Sequence, residues 1–268
     1  MIYLFGDSYV QAEKDPMKHF GADHKTWQDL LSEEMIEPHI NYGQSGESPI
    51  TTMKKFQTIL EKGFKKDNKM VIVLSYPFRI PWLFEGPNLG WMYESPFEFK
   101  ITNNPAGILI KFFENDFDIF TEQQHFAIKS MYDSMWTELS FMNFKNICYL
   151  SHISKAHTIP MIVFTVYNMK KNKKVFPQYP QINCEDSLLC LDHLNDDLFY
   201  YYPTPLHDHS KAGASEGGEK EGINHFTEPN HHILKNIICN HFMGTKYSET
   251  FHRSDISVSR KSVDFIYD

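Results

Sequence analysis

The chain has 268 residues, 41% of them hydrophobic and 22% charged, and a formal net charge of −8. That is enough apolar content for one sizeable α/β domain carrying insertions, and the negative balance argues against a nucleic-acid surface, which ordinarily presents a basic face. No run approaches the ~20 apolar residues of a membrane helix, and the cysteines Cys148, Cys184, Cys190 and Cys239 show no metal spacing, so a soluble protein with reduced thiols and no metal or cofactor is expected.

The first predicted element is a strand over Ile2–Phe5, a short apolar run fit for burial, after which Gly6 permits a sharp turn into Asp7 and Ser8. A serine at the carboxyl edge of such a strand is a candidate nucleophile, because open α/β sheets build their sites there. If a helix starts just after it, backbone N–H groups favour a developing oxyanion, that of Ser8 among them. Gly-Asp-Ser is also ordinary turn chemistry, since Asp and Ser cap helices and close turns.

A helix follows over Thr26–Glu37, with Trp27, Leu30, Leu31 and Met35 at helical spacing behind a cap-like Thr26-x-x-Asp29 start, and then a strand near Ile40. The next helix starts at Pro49, with Ile50, Met53, Phe56, Leu60 and Phe64 expected on one side. Met70–Leu74 is the third strand. A long helix is predicted from about Thr121 to His157, with a break at Met142-Asn143-Phe144, followed by strands over Ile159–Val166 and Leu198–Tyr202. The expected organisation is a single domain over 1–243 with insertions at about 76–120 and 168–222, and a C-terminal extension over 244–268.

The first insertion carries Trp82, Trp91, Tyr93, Phe97 and Phe99, which suit either a small core of their own or, for Trp82 and Trp91, stacking on a sugar or acyl chain. In the second, the stretch from Lys211 to Lys220 reads as a flexible loop. The basic runs Lys54-Lys55 and Lys170-Lys171-Asn172-Lys173-Lys174 are explained most simply as solvated faces. Among the 14 histidines, His207 with His209 and His231 with His232 tempt a zinc reading, but without a third ligand at a recognisable spacing they read as exposed loop and helix histidines. No basic leader or long apolar core precedes the first strand, so no signal peptide is expected and the cytoplasm is the expected compartment, with carriage on a virion as an alternative.

Three segments carry a resemblance when taken in order. They are Gly6-Asp7-Ser8 near the start, Asn41-Tyr42-Gly43-Gln44-Ser45-Gly46-Glu47-Ser48 after the first helix, and Asn224-His225-Phe226-Thr227-Glu228-Pro229-Asn230-His231 immediately before a helix start. Together the chain resembles the GDSL or SGNH hydrolase family. The resemblance implies a three-layer α/β/α sandwich with a mainly parallel five-stranded, flavodoxin-like sheet and esterase, lipase, deacetylase or related acyl-transfer activity. Carried over residue by residue, Ser8 matches the nucleophile, Gly46 a backbone donor to the oxyanion, His225 the general base and His231 a second, non-catalytic histidine.

Two departures accompany these matches. The family has Asp three residues before the histidine, where this chain has Gly222; Glu221, Glu219 and Asp208 are the acids in reach by sequence, and Glu221 is the candidate orienter of His225. The family's third block ends its strand in Gly-x-Asn-Asp and uses that Asn as an oxyanion donor, whereas here Met70–Leu74 runs into Ser75-Tyr76-Pro77-Phe78-Arg79, leaving Ser75 or Arg79 as substitutes. The expected substrate is a small-molecule or carbohydrate ester, with no nucleic-acid or membrane partner. The competing class is a non-catalytic binding or structural protein that kept the fold, with a phage-encoded protein as one form of that alternative. A nucleotide binder would need a phosphate-cradling Gly-rich loop after the first strand, and Gly6-Asp7-Ser8-Tyr9 is too short and too acidic for one.

Overall fold

The computed structural model describes residues 1–11, 25–44, 47–65, 67–75, 81–83, 91–93, 138, 141–166, 190–206, 224, 226 and 228–245. Its strands are β1 (Ile2–Phe5), β2 (His39–Asn41), β3 (Lys69–Leu74), β4 (Pro81–Leu83), β5 (Trp91–Tyr93), β6 (Met161–Thr165) and β7 (Phe199–Tyr201). Its helices are α1 (Trp27–Met35), α2 (Pro49–Glu61), α3 (Met142–His157) and α4 (Glu228–Met243), with a 3₁₀ turn over Cys190–Leu194.

Five strands form one sheet in the order β2-β1-β3-β6-β7, every neighbouring pair parallel. This is the expected α/β fold. The register pairs Ile2 with His39 and Lys69, Met70 with Met161, and Met161 with Phe199. Strands covered on both faces read as continuous apolar runs, which is how β1, β3 and β6 read. Alternation still sorts their side chains. Ile2, Leu4, Val71, Val73, Ile162 and Phe164 face one core with Trp27 and Leu31 of α1 and Leu234, Ile237 and Ile238 of α4. Phe5, Met70, Ile72, Leu74, Met161, Val163, Phe199 and Tyr201 face the other, with Phe56 of α2 and Ile147 and Leu150 of α3. Helices therefore cover both faces, giving three layers.

The helix starts follow local chemistry. The Thr26 side chain accepts from the Asp29 N–H to cap α1, and Ser48 accepts from the Thr51 N–H to cap α2, with Pro49 in the first turn. Helix α3 begins at Met142, where the break in the longer predicted helix was expected; of the 121–141 portion only residues 138 and 141 are described. Helix α2 ends at Glu61, and Ile50 is 37% exposed. The buried side of α2 is set by Pro49, Thr52 and Phe56, and at 3.6 residues per turn Ile50 lies roughly 100° round from it, so the expected apolar stripe begins at Met53. Phe64 packs on the core from beyond the helix end.

Of the span read as the first insertion, the described part is an antiparallel pair in which Pro81 is opposite Tyr93 and Leu83 opposite Trp91. Residues 190–206 of the span read as the second insertion supply edge strand β7. The extension from 246 onward lies outside the described residues, as do His207 and His209. Among the described residues no helix is long and apolar enough to cross a membrane, and no group of three or more His, Cys, Asp and Glu side chains could hold a metal ion. Cys148 and Cys239 are free thiols.

Two glycines bring the loops at the carboxyl edge into contact. A Cβ on Gly6 (φ +153°) would lie 2.7 Å from Val10 Cγ2 and 2.9 Å from both Val73 Cβ and Val73 O. A Cβ on Gly43 would lie 2.8 Å from Val10 C and Cβ. Gly6→Ala and Gly43→Ala should each destabilise the protein by about 1–3 kcal/mol through overpacking against backbone that cannot move aside. At Gly63 (φ +87°) a Cβ meets nothing within 4 Å, so Gly63→Ala should cost only the left-handed strain, roughly 1 kcal/mol. Urea denaturation of the three variants checks this order.

Candidate active site

The chain leaves β1, moves out to β2, and returns across β1 to β3, so the order of the sheet reverses between β1 and β3. Open α/β sheets bind ligands outside the carboxyl ends of the strands at such a reversal. Residues 6–11 follow β1 there, and Ser75 follows β3.

Residues 7–11 form one tight turn. The Asp7 carbonyl accepts from the Val10 and Gln11 N–H groups at 2.9 Å each, and Asp7 Oδ1 accepts from the Tyr9 N–H at 3.1 Å. Asp7 is buried, and its carboxylate does the work of an Asx turn, the ordinary reading of Gly-Asp-Ser. Ser8 is half-buried at the head of this turn.

Four consecutive carbonyls of the turn, from Ser8 to Gln11, accept hydrogen bonds from side chains. Asn224 Nδ2 donates to Ser8 O and to Gln11 O, both at 2.8 Å. The Trp27 indole N–H donates to Tyr9 O at 3.1 Å. Gln28 Nε2 and Asn41 Nδ2 donate to Val10 O at 2.9 and 2.6 Å. Gln28 Nε2 also reaches Asn224 Oδ1 at 3.3 Å, closing the network. Asn224 holds a left-handed conformation, φ +52°, which Asn tolerates better than most residues. Phe226, two residues on, is buried and stands edge-on to Tyr9 with ring centroids 5.4 Å apart. The residues on either side of His225 in the chain thus both touch the Ser8 turn.

His231 is wholly buried, against the expectation of an exposed helix histidine, whereas His232 is exposed. The Trp27 N–H donates to His231 Nδ1 at 3.0 Å, so α4 satisfies a first-turn N–H of α1 and the proton of the neutral ring sits on Nε2.

The second loop, 42–48, is tied to the first. The Tyr42 N–H donates to Leu4 O at 2.8 Å and the Gln44 N–H to Gly6 O at 2.9 Å. Glu47 is wholly buried; its Oε1 accepts from the Thr52 hydroxyl at 3.0 Å and its Oε2 is paired with the Lys55 ammonium. Lys55 also donates to Tyr42 O at 3.0 Å and Gln44 Oε1 at 3.4 Å. The solvated-face reading of Lys54-Lys55 therefore holds for exposed Lys54 and fails for Lys55, whose head turns inward to a buried carboxylate.

Ser75 also takes a different place from the one expected. Its buried hydroxyl donates to Glu47 O at 2.6 Å, and its own carbonyl accepts from Asn143 Nδ2 at 3.0 Å. A hydroxyl has one proton, and here it is given to the Glu47 carbonyl, so Ser75 anchors the loop after β2 to the end of β3. Gly46, Arg79, Glu221 and His225 lie outside the described residues. Sequence reasoning missed Gln28, Asn41 as a donor, Asn224 and Lys55. A Gln beside Trp27 on the buried side of an amphipathic helix was the available signal for the first.

Fold and edge together define a doubly wound α/β protein with a parallel five-stranded sheet, whose serine turn stands at that sheet's reversal point. No protein-family model matches the chain, and a search of curated proteins finds no match either. Among solved structures, the lipase/acylhydrolase from Enterococcus faecalis is similar over 93% of this chain and 98% of its own, at 14% sequence identity and a TM-score of 0.35.

Burial pushes the Glu47 carboxyl up to about 7; the Lys55 ammonium and Thr52 hydroxyl pull it down, and the nearby Asp7 carboxylate adds to the rise. The unfolded carboxyl titrates near 4.5, so between about pH 4.5 and 7 the unfolded chain has released a proton that the folded protein keeps. This group's contribution to stability is therefore greatest below that window and falls as pH rises through it. In denaturation curves across the window, the parent should lose stability relative to Glu47→Gln as pH rises; a constant gap would contradict the assignment. Asn224→Ala, which strips donors from two carbonyls of the turn, should cost about 1–3 kcal/mol for each group left buried and unsatisfied, read by the same denaturation.

Proposed function

We propose that the protein is a serine-dependent ester hydrolase in which Ser8 is the nucleophile and His225 the general base. One observation carries the reading: Asn224 and Phe226, flanking His225, both contact the turn that presents Ser8, across more than 200 residues of chain. His225 lies between these two residues in sequence, which supports the reading.

In the proposed reaction the Ser8 hydroxyl oxygen bonds to the ester carbonyl carbon as His225 takes its proton. The N–H groups of Ser8 and Gly46 hold the oxyanion, with Arg79, four residues past Ser75 at the end of β3, as a further cation. Collapse breaks the bond to the alcohol, which leaves with the proton from His225. Water, deprotonated by His225, then attacks the acyl-serine; His225 returns that proton to Ser8 as the acyl–Ser8 bond breaks, and the carboxylic acid departs and ionises in solvent. Glu221 is the candidate that orients His225. The substrate class favoured by the aromatic-rich 76–120 segment is an acylated, for instance O-acetylated, carbohydrate, with a simple acyl ester next.

A second reading, a non-catalytic protein that kept this fold, draws on the use of the Ser75 hydroxyl as a loop anchor, which removes one replacement for the missing oxyanion donor, and on Gly222 in place of an acid. Reaction with a fluorophosphonate probe, read by intact mass, separates the two. Parent protein should gain one adduct and Ser8→Ala none; folded parent that stays unlabelled supports the binding-protein reading. Turnover of p-nitrophenyl acetate should fall by at least about 10³ in Ser8→Ala and His225→Ala. Glu221→Gln should lower it only if Glu221 orients His225, and Arg79→Ala should reduce kcat more than it raises KM if Arg79 serves the oxyanion.

A further inference from the structure

Gln28 lies on the buried side of α1 with Trp27 and Leu31 and is only 3% exposed. Its Nε2 donates to Val10 O at 2.9 Å and to Asn224 Oδ1 at 3.3 Å, while its Oε1 is buried with no hydrogen-bond partner among the described residues. The reverse orientation of the amide would set Oε1 against those same two oxygens, so the two donor contacts leave the other end of the group unmatched. A buried acceptor in that state costs stability, and an apolar side chain of the same length would avoid the loss. Satisfying Val10 O does not explain the residue either, because Asn41 Nδ2 already donates to that carbonyl at 2.6 Å. What Gln28 adds is its hydrogen bond to Asn224, whose Oδ1 has no other donor among the described residues.

We propose that Gln28 is a positioning residue that fixes the Ser8 turn by holding the Asn224 carboxamide with its N–H groups on that turn. The inference rests on the hydrolase reading above. Asn224 Nδ2 has two protons, and Ser8 O and Gln11 O accept one each at 2.8 Å, so a single amide spans the turn from its first carbonyl to its last. An amide held at Nδ2 alone can still pivot about those two bonds. The contact from Gln28 to Oδ1 removes that freedom, and it comes from a helix whose Trp27 indole is already fixed on Tyr9 O. Within the turn, the Asp7 carbonyl accepts from the Val10 and Gln11 N–H groups, so a shift of the Ser8 peptide would have to break bonds on both sides. A nucleophile that pivots by a fraction of an ångström meets the ester carbonyl less often in the attacking geometry. The loss then falls on the chemical step and little on substrate binding.

The test compares the parent with Gln28→Met, which keeps the length of the side chain and removes both ends of its amide. That change trades one partnerless acceptor, Gln28 Oε1, for another, Asn224 Oδ1, so the urea midpoint should stay within about 0.5 M of the parent's. With p-nitrophenyl acetate, kcat should fall about 10- to 100-fold while KM stays within about twofold. The rate of Ser8 phosphonylation should fall in parallel. Amide hydrogen exchange should quicken at least about tenfold at Val10 and Gln11 and stay unchanged in β1. Gln28→Glu keeps the shape of the side chain and has a donor only when neutral, so its phosphonylation rate relative to the parent's should rise as pH falls. A labelled parent whose folded Gln28→Met variant keeps the parental kcat overturns this inference alone. So does a Gln28→Met variant that fails to fold or moves its midpoint by more than about 0.5 M, and so does a Gln28→Glu ratio that is flat with pH, since each marks a merely structural role. A parent that is not labelled at Ser8 overturns the hydrolase reading and this inference with it.

Discussion

Backbone carbonyls that leave a parallel sheet at its carboxyl edge have no neighbouring strand to accept from, and burying one without a donor costs roughly 1–3 kcal/mol. In this protein the turn from Ser8 to Gln11 meets that constraint with side chains: Asn224, the Trp27 indole, Gln28 and Asn41. Those donors come from α1, from β2 and from the segment just before α4. The turn cannot take its place until those segments have docked, and they are fixed to one another through it. Fold and candidate site are in this sense one hydrogen-bond network.

The same logic extends to the second loop through charge. Burial raises the Glu47 carboxyl, with the Asp7 carboxylate adding to the rise, and Lys55 offsets the cost by bringing its ammonium in from α2. Ser75 then locks the loop backbone to β3, and Asn143 locks Ser75 to α3. Side chains from both helical layers therefore converge on the loops beside the sheet reversal: α1 and the segment leading into α4 from one face, α2 and α3 from the other. His231 adds a tie of its own, accepting from the first N–H of α1 and so coupling the helix that carries Trp27 and Gln28 to the helix that follows Asn224.

The elements were legible where local physics is decisive. Buried parallel strands must be apolar on both faces, so β1, β3 and β6 announce themselves as short continuous runs. Thr26 is read as a cap because an oxygen one residue before a helix satisfies an orphan N–H whatever lies around it. Reading failed where a side chain's direction depends on what it meets. Ile50 belongs to the apolar residues of α2 but sits off its buried side, and Lys55 belongs to a basic run but turns toward a carboxylate. Ser75 has the right place for an oxyanion donor and a hydroxyl already committed to Glu47.

By itself the sequence determined the order of strands and helices, the glycine at the end of β1 and the serine that follows it, because apolar period, capping oxygens and turn-forming residues act over a few positions of chain. The tertiary structure alone decided that Asn224 clamps the Ser8 turn, that His231 is buried against α1, and that Lys55 faces Glu47. These are contacts between polar groups whose partners are set by the sheet order, up to 216 residues apart. Nothing in a hydroxyl, an amide or an ammonium records its partner until burial makes an unpartnered one expensive.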